Sequence, residues 1–312
     1  MSELPKRKPD WLRVRLPGAE DQARFQAVRD RLESLDLHTV CAEAKCPNIF
    51  ECWSAGTATI MVLGETCTRG CRFCAVNTGD PRGYVDSREP ESTAIALERM
   101  GLRYVVITMV DRDDLLDGGA AHLAETVRRS KARSPELLIE TLVGDFQGIK
   151  RDIRTVVRDG SPDVFAHNVE VVPRLQRTIR DARCSWERSI EALRYAKEIG
   201  AERTKTSLMV GIGEEESEVL EAMESIREAG VDILTVGQYL RPTKKHAEVK
   251  RYVDPEEFKR YEDAGKALGF SFVASGPLVR SSYRAAEAFL DESIRKERRF
   301  DRYGRKNLPV LG

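Results

Sequence analysis

The chain has little of what would send it into a membrane, out of the cell or onto a nucleic acid. No apolar run approaches the ~18 residues needed to cross a bilayer, so no membrane association is expected. The N-terminal stretch MSELPKRKPDWLRVR lacks the apolar core of a secretory signal, which points to a cytoplasmic protein. Lys+Arg and Asp+Glu both number 51, so there is no net charge to attract a polyanion and no nucleic-acid partner is expected. Histidines number only four, and no segment is of low complexity. The hydrophobic fraction of 41% is ordinary, and over 312 residues it can form a sizeable core.

Cysteine is also scarce outside one window. Six of the seven cysteines lie between positions 41 and 74, in two triplets: Cys41, Cys46, Cys52 and Cys67, Cys71, Cys74. An odd count, the length and the lack of a signal argue against a disulfide framework. Structural zinc usually shows two CxxC-type pairs. Here there is one, Cys71-Arg72-Phe73-Cys74, and the window contains no histidine. Three thiolates hold three corners of an iron–sulfur cubane and leave its fourth iron open. Two triplets therefore predict two 4Fe-4S clusters. Cys184, the seventh, reads as a small partly buried apolar residue.

Strand-like and helix-like segments alternate from residue 58 onward. Apolar runs at 58–64, 103–110, 136–143, 163–171, 204–212 and 232–240 read as strands covered on both faces. Helices are expected near 91–100, 119–131, 147–159, 186–199 and 214–229, with Gly160, Gly200 and Gly230 as C-terminal caps. Six such units predict an α/β fold, a partial parallel (β/α)6 barrel, with an open doubly wound sheet as the alternative. The second triplet follows the first strand, and active sites of such barrels form at the carboxyl ends of the strands.

Cys67-Thr68-Arg69-Gly70-Cys71-Arg72-Phe73-Cys74 has the CxxxCxxC form of radical S-adenosylmethionine (SAM) enzymes. CAEAKCPNIFECW upstream and CTRGCRFCAV together resemble the lipoyl synthase family. The likeness continues through VITMVDRDDLLDGGAAH, ETLVGDFQG, AHNVEVVPRL, TKTSLMVGIGE, LTVGQYLRPTKKHAEVKRYVDPEEF and GPLVRSSYRA, over roughly residues 38–290. Departures are GDF at 144–146 where the family usually has PDF, Gly70 where Asn is common, and Met109 where Ser is common.

The resemblance implies a radical SAM barrel at 57–268, an N-terminal extension at 1–56 with a helix near 20–36, and a C-terminal extension at 269–312. It implies an enzyme that uses two SAM molecules to insert two sulfur atoms, at C6 and C8 of a protein-bound octanoyl-lysine. Cys67, Cys71 and Cys74 would hold the cluster whose open iron is chelated by SAM and whose electron releases a 5′-deoxyadenosyl radical. Cys41, Cys46 and Cys52 would hold an auxiliary cluster that is sacrificed as the sulfur source. Its fourth ligand would come from Arg280-Ser281-Ser282-Tyr283. The family pattern favours Ser282, with Ser281 as the alternative; a turn or cap before a helix at 284–296 is the bland reading. The implied partners are octanoylated carrier domains of 2-oxoacid dehydrogenases or the glycine cleavage H protein, a flavodoxin or ferredoxin electron donor, and an iron–sulfur carrier that repairs the auxiliary cluster.

Thr108, Asn168, Glu170, Lys205 and Gln238 sit at or near strand ends and are candidates for the cofactor; the alternative is that some only fill the barrel. Asn168 and Glu170 alternate with Val169 and so share a face. Gly211 and Gly213 resemble the stretch that approaches adenine in this superfamily. Asp111-Arg112-Asp113-Asp114 reads by default as a solvated face, or else as a group that closes the site. His122 and His167 read as core or strand-end residues, and His246 as a contact for the substrate domain. The basic run 295–306 either steers acidic carriers or is a solvated tail. A different radical enzyme, of the biotin synthase or methylthiolating type, would keep Cys67, Cys71 and Cys74 without the upstream triplet and the RSSY motif. A non-enzymatic cluster carrier would have little use for the barrel.

Overall fold

The computed structural model describes residues 59–282 continuously, with residues 8–12, 18, 22, 25, 26, 29, 30, 48, 49 and 294 besides. Cys41, Cys46, Cys52 and Tyr283, most of the proposed 20–36 helix, and nearly all of the 284–296 helix and the basic run at 295–306 lie outside the described residues.

Six strand–helix units follow one another. Strand β1 (Thr59–Val62) leads into a small two-stranded parallel ladder, β2 (Thr66–Cys67) with β3 (Asn77–Thr78), and then helix α1 (Glu89–Met100). Next come β4 (Tyr104–Met109), α2 (Ala120–Arg133), β5 (Leu138–Leu142) and α3 (Lys150–Arg154), which runs on as a π turn over Thr155–Gly160. Strand β6 (Val164–Ala166) precedes α4 (Trp186–Glu198), β7 (Thr204–Val210) precedes α5 (Glu216–Glu228), and β8 (Ile233–Gln238) precedes α6 (Pro255–Ala267). A seventh strand, β9 (Phe272–Gly276), pairs with β8 in parallel. The sheet order is β1-β4-β5-β6-β7-β8-β9, all parallel, with β1 and β9 at its edges. The sheet therefore extends beyond residue 268, where the sequence reading ended the barrel.

Two local readings change. Strand β6 stops at Ala166 rather than 171, because Glu170 takes a left-handed φ of 68° and touches β7 only through one bridge to Leu208. Gly200 and Gly230 do take the left-handed conformation expected of helix caps. Gly160 does not: Ser161 has the positive φ of 53°, and Gly160 instead lets the chain pass close to α2, where a Cβ would lie 3.1 Å from Ala124 Cα.

Side chains of the strands alternate between the helices and the barrel interior. Val105 and Ile107 pack with Leu97, Leu123 and Val127 under the helices, each almost wholly buried. Tyr104, Val106, Leu138 and Ile233 pack inside. At the amino-terminal end of the interior, Lys205 Nζ meets both Glu140 oxygens at 2.7 and 2.9 Å, and Tyr104 donates to Glu140 at 2.7 Å. Lys205 is the second residue of β7, so it lies at the end of the strand opposite to the site. Its contacts are with Glu140 inside the barrel, and it does not line the cavity at the carboxyl ends.

Removing one partner of so deeply buried a pair leaves the other charge uncompensated. Lys205→Met is expected to cost about 3–5 kcal/mol in anaerobic urea unfolding, and Lys205→Met/Glu140→Leu to recover most of it. The affinity of the folded fraction for SAM should not change. A lost cofactor affinity without lost stability would return Lys205 to the site.

Candidate active site

The cysteine loop is held from three sides. On one side, Thr68 N–H donates to the Asp111 carbonyl at 2.9 Å, and Thr68 Oγ1 to Asp113 at 3.1 Å. On the second, Gly70 N–H donates to Asp181 Oδ2 at 2.8 Å and Arg72 N–H to the Ile179 carbonyl at 2.8 Å. On the third, Ala247 N–H donates to the Arg72 carbonyl at 2.8 Å, and His246 Nε2 donates to the Cys74 carbonyl at 2.9 Å. His246 thus fastens the loop, a nearer task than contact with a substrate domain.

Within the loop, Arg69 is 3% exposed and projects into carboxylates. Its Nε and Nη2 meet the two Asp113 oxygens at 2.9 and 2.8 Å, Nη2 also meets Asp145 at 2.7 Å, and Asp111 lies 3.4 Å from Nη1. Burial opposes the charge on Arg69, but the hydrogen bonds with Asp113 and the neighbouring Asp111 and Asp145 more than offset it, so the guanidinium holds its proton more firmly. Burial pushes Asp111 up to about 6, against the pull of Arg69. A Cβ at position 144 would lie 2.1 Å from Asp111 Oδ1. Glycine at 144 leaves the room that this carboxylate occupies. Arg112 is 2% exposed and donates to the Leu63 and Tyr84 carbonyls and to Asp114. The 111–114 cluster is therefore internal scaffolding, not a solvated face.

Cys67, Cys71 and Cys74 all line one cavity of about 330 Å³ at the carboxyl ends of the strands. Burial, then the charge of Asp111, pushes the Cys67 thiol up to about 11, and burial raises Cys74. Cys71 is raised by its hydrogen bond to Cys184, then by burial. Such thiols ionise when a metal centre takes their sulfur. Among the described residues, no three His, Cys, Asp or Glu side chains converge closely enough to hold a single metal ion. Three thiols spread around the wall of one cavity suit a multi-iron cluster, and soft sulfur ligands suit its irons. The residues present fit the group.

Thr108, Asn168, Glu170, Gln238, Ser281 and Ser282 line the same cavity. Asn168 and Glu170 both face it, though through the left-handed Glu170 rather than through strand alternation. Gln238 has its amide engaged: Nε2 donates to the carbonyls of Val210, Tyr239 and Arg251, and Oε1 accepts from Val253 N–H. Lys205, Gly211 and Gly213 are not among the lining residues. Gly211, at φ 90°, gives way to Gln238 and the Arg251 carbonyl, which a Cβ would meet at 2.1 and 2.5 Å.

The C-terminal serines reach the cavity because β8 lets them pass. A Cβ on Gly237 would lie 2.1 Å from the Val279 carbonyl oxygen, so only glycine admits the 277–282 segment so close to the strand end. Asn48 Nδ2 donates to the Leu278 carbonyl at 2.6 Å, and Asn48 lies between Cys46 and Cys52 in sequence.

Sequence reasoning gave no catalytic-end role to Arg69, Asp145, Arg180, Asp181 or Arg183. The only local signal was Arg69 inside the cysteine motif; its partners lie 44 and 76 residues away. Cys184 is 5% exposed as expected, yet it accepts from Arg69 Nη1 at 3.5 Å and adjoins Cys71. His122 bonds Glu89 at 2.6 Å. His167 lines the cavity with both nitrogens engaged: Nδ1 with the Val143 carbonyl at 2.8 Å and Nε2 with Ser189 Oγ at 2.9 Å.

Burial, reinforced by Arg180, lowers the His167 pKa from 6.5 to about 4. The folded state therefore binds the proton less readily than the unfolded one. Stability is complete above about pH 6.5 and falls as pH drops toward about 4, by about 3 kcal/mol from this residue. Urea midpoints measured anaerobically across that range should show this slope, and His167→Gln should flatten it.

The family model of the Radical SAM superfamily matches residues 61–226. The chain is 58% identical to the lipoyl synthase of Sorangium cellulosum over 298 residues, 91% of this chain and 79% of that one. It is 53% identical to the lipoyl synthase of Thermus thermophilus, over 94% and 90%, and 53% identical to that of Pyrobaculum calidifontis, over 92% and 98%. Among solved structures it resembles the FeFe-hydrogenase maturase HydG from Carboxydothermus hydrogenoformans, with a TM-score of 0.53 and 13% identity over 87% of this chain and 79% of that one. It also resembles Streptococcus suis SuiB bound to S-adenosylmethionine, with a TM-score of 0.51 and 12% identity over 82% and 61%. At these identities the structural likeness is one of fold alone, whereas the sequence identities run over most of the chain: it belongs to the lipoyl synthase family, within the radical SAM superfamily.

Proposed function

We propose that the chain builds the lipoyl group in place, inserting sulfur at C6 and C8 of an octanoyl-lysine carried on a lipoyl domain, with its two cysteine triplets dividing the labour. Cys67, Cys71 and Cys74 hold the cluster that works with SAM. Cys41, Cys46 and Cys52, with Ser282 as the fourth ligand, hold the cluster that donates sulfur. When bound, the first cluster and SAM supply the one-electron chemistry that removes hydrogen from an unactivated carbon.

The observation that carries this reading is the meeting of three segments. The serines and the three loop cysteines line one cavity, and Asn48, from within the upstream triplet, bonds the chain four residues before Ser282. That supports a sulfur donor placed beside the radical site. The chain's own part is to hold and to exclude. The carboxylates around Arg69 fix the cysteine loop, and Met61, Phe73, Leu142, Leu208 and Val279 give the cavity an apolar wall that keeps water from reactive carbon. An oxygen ligand at Ser282 is a poorer match for iron than a thiolate, which suits a cluster that must come apart.

The acceptor is an octanoylated lipoyl domain of a 2-oxoacid dehydrogenase or of the glycine cleavage H protein. A flavodoxin or ferredoxin donates the electrons, and an iron–sulfur carrier rebuilds the spent cluster. No helix among the described residues is long and apolar enough to cross a membrane. Anaerobic reconstitution separates this reading from a single-cluster radical enzyme: about eight irons per chain support it, about four oppose it.

Cys71→Ala should abolish formation of 5′-deoxyadenosine. Cys46→Ala should leave that cleavage largely intact while ending sulfur insertion. Equal loss of cleavage in two folded variants would show that the roles are misassigned.

Ser282→Cys should bind its auxiliary cluster more firmly and yield less lipoyl product, because a thiolate resists the loss of iron that frees sulfide. Product per chain, measured by mass spectrometry of the carrier domain, is the readout. An unchanged yield and rate would remove Ser282 from the mechanism.

A further inference from the structure

The cysteine loop and the segments packed on it carry four exposed cations that meet no carboxylate among the described residues: Arg72, Arg177, Lys244 and Lys245. They come from three segments that the loop itself gathers. Arg72 stands between Cys71 and Cys74, and its Nη1 donates to the Thr178 carbonyl at 3.1 Å, next to Arg177. Ala247 N–H donates to the Arg72 carbonyl at 2.8 Å, and Arg241 ties the turn before it by donating to the Lys244 and His246 carbonyls. Carboxylates close by in sequence are already taken, Asp181 by Arg183 and Glu248 by Lys250. Arg133, Arg174 and Arg260 are also exposed, yet each meets a glutamate. In a chain of zero net charge the four unmatched cations make a local excess.

None of the four lines the cavity, although Cys71, Phe73 and Cys74 do. The thiols of the loop thus face the cavity and these cations face solvent, so a molecule docked on them leaves the cavity free. A domain bearing an acyl arm must present that arm to the cavity, which this face does not border. The face is instead a short way to the thiols. His246, next to Lys245, donates through Nε2 to the Cys74 carbonyl at 2.9 Å, while its Nδ1 accepts from Thr243 Oγ1 at 2.9 Å. An electron entering at His246 crosses one hydrogen bond and one residue to reach a cysteine sulfur.

We propose that this face docks an acidic protein with a one-electron centre at its surface, and that the electron passes through His246 and the Arg72–Phe73 stretch to the cluster held by Cys67, Cys71 and Cys74. The proposal rests on the reading of those cysteines as cluster ligands, and adds where the electron enters. In each transfer the donor is oxidised by one electron and the cluster is reduced by one, with no bond of the chain made or broken. Attraction between unlike charges guides the approach and is screened by salt.

The test uses the full chain, reconstituted anaerobically, with a bacterial flavodoxin as the probe. Two quantities are read: the Kd for oxidised flavodoxin by biolayer interferometry, and the rate at which reduced flavodoxin is oxidised in stopped flow. Lys244→Glu/Lys245→Glu should weaken binding about 20-fold at low salt and slow electron transfer in proportion, with the difference shrinking as salt rises. Arg177→Glu, from a separate segment, should act in the same direction and serves where the lysine variant disturbs the turn at His246. Reduction by photoexcited deazaflavin, which is small and uncharged, should not change in either variant, nor should the affinity for an octanoylated lipoyl domain. Unchanged flavodoxin binding in both variants would overturn the proposal, as would an unaltered enzyme that deazaflavin reduces but flavodoxin does not bind. Equal slowing with deazaflavin would make these residues structural, and weakened lipoyl-domain binding with flavodoxin unaffected would give the face to the acyl carrier; either overturns it. If the unaltered enzyme took up no cluster in this loop, the reading of the cysteines would fail instead, a distinct result.

Discussion

The buried guanidinium of Arg69 is the constraint on which the active end depends. The loop carrying Cys67, Cys71 and Cys74 has almost no regular structure of its own: β2 and β3 contribute two residues each. A loop that short of ladder bonds keeps its shape only if its polar groups are satisfied elsewhere. Arg69 does this by joining the end of β4, through Asp111 and Asp113, to the segment after β5, through Asp145. Three carboxylates around one cation would repel each other without it, so each member is held in place by the others. The result is a loop fixed to two strand ends. Cluster ligands need that fixity, because a loosely held thiol changes both the affinity and the potential of what it binds.

Much of this was legible in the sequence and some was not, and the division has a physical cause. Apolar runs covered on both faces declare themselves locally, so the six strand–helix units fall close to their expected places. The spacing of the cysteines is likewise local. What escaped depends on partners far apart in sequence. Nothing near residue 69 shows that residues 113 and 145 will converge on it. Lys205 is a different case. The expected run at 204–212 already put it at the start of its strand, away from the carboxyl ends, so its nomination for the cofactor was at odds with its own strand. Glu170 was placed on the right face for the wrong reason, since a left-handed residue, not extended alternation, turns it into the cavity. The seventh strand was missed because three of its five residues, the last three of FVASG, are small and carry little of the signal of a buried strand.

Glycine marks three of the close approaches that shape the site, each for lack of a Cβ. Gly144 gives way to a carboxylate, Gly211 to a glutamine amide and Gly237 to a backbone carbonyl. At Gly144 and Gly237 the backbone conformation is open to other residues and the demand is for space. A proline at 144 would exclude the present Asp111 side chain, so the carboxylate would have to leave the neighbourhood of Arg69 or turn toward the cavity. The GDF sequence and the three-carboxylate setting of Arg69 therefore belong together.

The cavity is lined by both polar and apolar side chains, and two of its arginines are held differently. Arg69 is saturated with carboxylates and faces the scaffold. Arg180 is anchored by one nitrogen and lacks an anion on its other edge. Burying both would be costly if both were structural, since a saturated ion cluster already fixes the loop. Met61, Phe73, Leu142, Leu208 and Val279 in the same lining suit an aliphatic chain, whose carbons offer nothing to hydrogen-bond and must be positioned by packing alone.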